Sequence, residues 1–154
     1  MYNDFPNIFD SDTVQKLKAR FYLLDEATMP TWGVMSCPQM LAHTNVTYEM
    51  MYEDKHPKPS FMTSLLLKWF VKPAVCGPKP YMKNGPTAQA FKITDEKNFD
   101  VEKERLFNYL DKTQKLGLDH FVLKPSHSFG MLTAQEWNTM LYKHLDHHLT
   151  QFGV

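Results

Sequence analysis

The chain has 154 residues, of which 43% are apolar, 14% aromatic and 22% charged, which suits one globular core and excludes a disordered or fibrous protein. Seventeen basic residues balance seventeen acidic ones, so no net field favours nucleic acid as a partner. Cys37 and Cys76 lie far apart, as expected of reduced thiols in a cytoplasmic protein, and the polar, acidic opening MYNDFPNIFDSD does not read as a secretory leader.

Val14, Leu17, Phe21 and Leu24 recur at spacings of three and four behind Ser11 or Asp12 as a cap, which predicts an amphipathic helix over 12–27, ended by Pro30. At Ser36-Cys37-Pro38-Gln39 a serine cap, a first-turn proline and a glutamine able to close a capping box predict a second helix running to about Asp54. Pro57 and Pro59 break the chain, and Ser60 caps the most apolar stretch, FMTSLLLKWFV over 61–71. It is about half the length of a membrane span and contains Lys68, so a short buried helix is expected and no membrane. Residues 72–99 carry four prolines and two glycines and read as a long functional or mobile loop, a candidate lid, with room for a short strand pair. Asp100 is expected to cap a helix that stops near Gly117. Thr133 and Glu136 form a capping-box pair that opens a final helix over Thr133–Gln151. Long helices with scarcely any alternating pattern predict an all-α antiparallel bundle occupying residues 1–154 as one domain.

The last helix holds Lys-His-Leu-Asp-His-His-Leu, and His144 and His148 are four residues apart. Residues at that spacing sit about 40° apart around a helix and one turn along it, so two imidazoles can converge on one ion. The same projection groups them with Trp137, Met140, Leu141 and Gln151, and turns Thr139, Lys143 and Asp146 to the far side. On the second helix His43 shares a face with Met40, Val46, Thr47 and Met50, so it also points inward. Burying three imidazoles without partners is costly, and a divalent ion accepts their lone pairs. Three neutral ligands leave an open coordination position, as in catalytic zinc sites. The competing reading is three hydrogen-bonded core histidines. His147, on the flank of the pair, reads as a substitute ligand, a neighbouring group or a bundle-edge residue, the last two being favoured, and His56 and His120 as solvated.

These residues, together with Pro30-Thr31-Trp32-Gly33, Gln39-Met40-Leu41-Ala42-His43, His127-Ser128-Phe129-Gly130 and Tyr142 to Leu149 followed by Gln151-Phe152-Gly153, resemble the DinB-like superfamily, in a bacterial branch of unknown function, over about residues 10–153. The resemblance implies an up-down-down-up four-helix bundle, a metal triad at His43, His144 and His148, and a tendency to dimerise. Three imidazole ligands suit zinc, nickel or iron(II). The resemblance further implies a metal-dependent thiol transferase or related metalloenzyme acting on a small molecule, with His127, Thr47, His147 and Gln151 near the pocket. A non-catalytic ligand-binding bundle is the alternative, in which His127 is a loop residue and Thr47 only packs. A third reading makes Cys37, in a first helical turn, a nucleophile activated by the helix dipole.

Overall fold

The computed structural model describes residues 5–154, and the opening of the polar N-terminal stretch, residues 1–4, lies outside them. Among the described residues the protein is all-α apart from one small hairpin. Helix α1 (Ser11–Phe21) is shorter than its apolar spacing suggests. The chain leaves the helix in a turn, with Leu23 N and Leu24 N donating to the carbonyls of Arg20 and Phe21, and Leu24 enters the core from that turn. Asp10, rather than Ser11 or Asp12, holds the cap position, and its side chain bonds Asn7 instead of the helix.

Helix α2 (Cys37–Tyr52) begins with the expected capping box, Ser36 and Gln39 bonding each other's backbone amides. It is buried on nearly every side because it packs against helices α5 (Phe99–His120) and α6 (Ala134–Gln151), the last of the chain, and under a 3-10 turn at Gln89–Phe91. Helix α3 (Phe61–Leu66) is capped by Ser60 as expected and continues through a wide π turn, Leu67–Val71, into α4 (Lys72–Cys76). The burial expected for 61–71 is not found: no residue of that stretch is buried, and only at Cys76 does the arm enter the core.

The segment 72–99 therefore opens as helix and holds the 3-10 turn, with no strand. Helix α5 (Phe99–His120) is capped by Asn98, whose Oδ1 accepts from Val101 N at 3.0 Å, and not by Asp100. Its helical geometry breaks at Gly117, where φ is 72° and a side chain would be strained. The strand pair lies later, β1 (Lys124–Ser126) antiparallel to β2 (Gly130–Leu132), with Pro125 opposite Met131. Helix α6 (Ala134–Gln151) starts at the Thr133–Glu136 capping box.

Leu17 and Phe21 of α1, Met40 and Leu41 of α2, Leu106 and Leu110 of α5, and Trp137, Leu141 and Leu145 of α6 form a continuous core. Burying a side chain of this size contributes about 1.5–3 kcal/mol each. Among the described residues no helix is long and apolar enough to cross a membrane.

Candidate metal centre

The middle of α2 faces the C-terminal half of α6, and this brings His43, His144 and His148 together: one ring nitrogen from each lies within 4.8 Å of the others. His43 Nε2 and His144 Nε2 are 3.1 Å apart. Two imidazole nitrogens bound to one tetrahedral zinc would lie about 3.3 Å apart, given Zn–N of 2.0–2.1 Å, so this spacing is already close to a ligand pair. His43 and His148 are 6% exposed, and burial holds all three below the ordinary histidine pKa, His148 at about 3. The neutral form, with a lone pair to offer, is thus the one the site favours.

The far side of each ring decides which nitrogen carries the proton. His43 Nδ1 lies 2.8 Å from the carbonyl oxygen of Phe91, which can only accept, so Nδ1 is protonated and Nε2 keeps its lone pair. His148 Nδ1 is 2.8 Å from Gln151 Oε1. The amide of Gln151 is oriented by its other end, because Nε2 donates to the Trp32 carbonyl at 2.8 Å. His148 Nδ1 therefore donates as well, and its Nε2 is bare. His144 Nδ1 is 3.1 Å from Thr47 Oγ1, a hydroxyl that can give or take the proton. Such outer partners fix the tautomer and the ring orientation of metal-binding histidines.

Aromatic side chains surround the cluster. Phe91 stands 5.3 Å from His43 and 6.0 Å from His144 between ring centroids, Tyr81 lies 6.4 Å from His144, and Trp32 lies 5.9 Å from His147. Both Tyr81 and Phe91 come from the proline-rich segment read as a candidate lid, which here is pinned over the site. The pin is Lys143, only 3% exposed, whose Nζ donates to the carbonyls of Ala74, Gly77 and Lys79 at 2.8, 2.6 and 3.0 Å and lies 4.6 Å from the Tyr81 ring centroid. The projection that turned Lys143 and Thr139 outward is corrected: both are buried, Lys143 because α4 and the loop that follows it cover that side of α6.

Thr47 and Gln151 thus touch the cluster, and His147 flanks it, half-buried, edge-on to Tyr81 and His148. His127 does not reach the three: its ring nitrogens engage Ser128 Oγ at 2.8 Å and the His56 carbonyl at 3.2 Å, on the hairpin side. His56, expected in solvent, is half-buried with Nε2 2.8 Å from Glu49. His120 is exposed as expected. The Phe91 carbonyl, Tyr81, Trp32 and Lys143 were missed, since spacing on one helix says nothing about which loop closes over it. Cys37 is fully buried and burial raises its pKa to about 12, with Asp25 adding to the rise, which removes the nucleophile reading.

Fold and site together define an all-α protein with a three-histidine group compatible with binding a metal ion. A family model described as a protein of unknown function (DUF1569) matches residues 10–153. The chain belongs to that family. No curated protein and no solved structure matches it.

Proposed function

We propose that the chain is a one-domain, DinB-like, up-down-down-up bundle that holds a single divalent ion, zinc or nickel, on His43, His144 and His148, and serves as a metal-dependent thiol transferase or related metalloenzyme for a small molecule. The observation that carries the reading is the set of outer partners. The Nδ1 protons of His43 and His148 are committed to oxygens that accept, so both Nε2 lone pairs are available beside His144 Nε2. A divalent ion held there supplies Lewis acidity that lowers the pKa of a coordinated thiol or water toward neutrality.

The protein's own residues do the rest. Phe91 and Tyr81 limit water around the rings, Thr47 holds the His144 ring through a hydroxyl that serves either tautomer, and Gln151 keeps the His148 ring in place. The expected result is transfer of a low-molecular-weight thiol such as cysteine to monobromobimane, faster with zinc-loaded protein than in buffer and lost in His148→Ala. No acceleration with any loaded metal, across several thiols and electrophiles, would overturn the transferase reading.

In a second reading the protein is a non-catalytic module that captures a small ligand on the ion, and His127 keeps its bonds to Ser128 and the His56 carbonyl and takes no part. Recovery of an unaltered small molecule by native mass spectrometry, with no turnover, would select it.

A further inference from the structure

One feature is unrelated to the histidines: the arm formed by α3 and the π turn. Phe61, Leu65 and Trp69 fall in one row at spacings of four, and Met62, Leu66 and Phe70 in the row beside it. Five of these six are more than half exposed, Phe61 at 80%, Phe70 at 75% and Trp69 at 70%. Ser64 and Leu67, on the opposite side, are the half-buried ones. Phe and Trp side chains each offer roughly 150–250 Å² of surface, so the two rows present on the order of several hundred Å² of continuous apolar area. A helix this short, without ion pairs along it, gains little from its backbone alone and depends on something covering that face.

The charge around the arm indicates what covers it. Although the chain is neutral overall, residues 55–94 contain seven lysines and no aspartate or glutamate. Two of the seven are neutralised, Lys55 by Glu53 and Lys72 by Glu136. Lys58, three residues before the arm, and Lys68, within it, are exposed and form no ion pair among the described residues. In a two-fold pair of this chain the same patch meets itself, which would bring like-charged lysines of both copies to one interface. An anionic layer instead answers both the apolar rows and the lysines. Trp and Phe on one side of a short helix with lysines at its border is the pattern of helices lying in the headgroup region of a bilayer.

We propose that the 61–71 arm seats the protein on an anionic lipid surface, with Phe61, Trp69 and Phe70 entering the headgroup boundary and Lys58 and Lys68 facing the lipid phosphates. The stretch is too short to span, and nothing in this mode requires a span.

The test is co-sedimentation of the full chain with vesicles of phosphatidylcholine alone or mixed 7:3 with phosphatidylglycerol, beside Trp69 emission. Expected are at least tenfold stronger partitioning to the anionic vesicles, a blue shift, and weakening by added salt. Phe70→Glu and the pair Lys58→Glu with Lys68→Glu alter only exposed side chains, and each is expected to lower partitioning at least tenfold while leaving thermal unfolding unchanged. Equal binding to both vesicles would overturn the role of charge. Absence of binding would overturn the proposal, and if the chain then self-associates in a manner abolished by Phe70→Glu, the occupant is a second copy.

Discussion

Replacing Gln151 by leucine isolates the contribution of a residue that touches no ion itself. The side chain is 4% exposed and bridges two elements, accepting from His148 Nδ1 and donating to the Trp32 carbonyl, both at 2.8 Å. Leucine keeps most of the volume and removes both bonds. Leaving a donor and an acceptor without partners costs about 1–3 kcal/mol each, so a loss of roughly 2–6 kcal/mol of stability is expected. The His148 ring also loses the bond that fixes its tautomer, and losses of this kind weaken metal affinity by about 10–100-fold. Zinc affinity measured by competition with a chromogenic chelator, beside urea unfolding of the metal-free protein, reads the two effects separately. Gly33→Ala approaches the same bond from outside, because a β-carbon at Gly33 would sit 2.6 Å from Gln151 Nε2 at a φ of +83°. Gln151→Leu that lowers stability yet leaves zinc affinity within twofold would refute the positioning role, and with it the reading of the outer bonds as tautomer control.

Metal-free protein should lose stability on acidification. The pKa values of His43, His144 and His148 are depressed in the fold, so below about pH 6.5 the unfolded chain takes up protons that the folded one refuses, and folding is favoured fully only above that pH. Urea unfolding from pH 8 to 5 checks it, and His148→Ala should flatten the profile. Lys143→Met leaves three carbonyls without their donor, and should destabilise by on the order of 2 kcal/mol or more and expose residues 74–81 to faster amide exchange. Cys37 should resist iodoacetamide in the folded protein and react on unfolding, since it is buried with its pKa raised to about 12.

What could be read from the sequence was local. The boxes at Ser36–Gln39 and Thr133–Glu136 are satisfied within four residues, so they placed the starts of α2 and α6, and the His144–His148 spacing follows from the helix itself. His43 joined them because one helical face already pointed it inward. What failed depended on contacts distant along the chain. Leu24 continues the α1 spacing yet enters the core from a turn, and Lys143 sits on a face that only α4 and its loop bury. The 61–71 stretch is apolar enough for a core, but its face is left uncovered by the rest of the chain. The carbonyl of Phe91, which sets the His43 tautomer, has no side-chain signature at all.

The central claim is that His43, His144 and His148 bind one ion. Elemental analysis of untagged protein, purified without added metal, tests it most directly against His43→Ala combined with His148→Ala. About one equivalent of zinc or nickel in the parent and almost none in the double variant is the expected result. Equal metal content in both, or none in either even after incubation with zinc, would contradict it and leave the three histidines as hydrogen-bonded core residues.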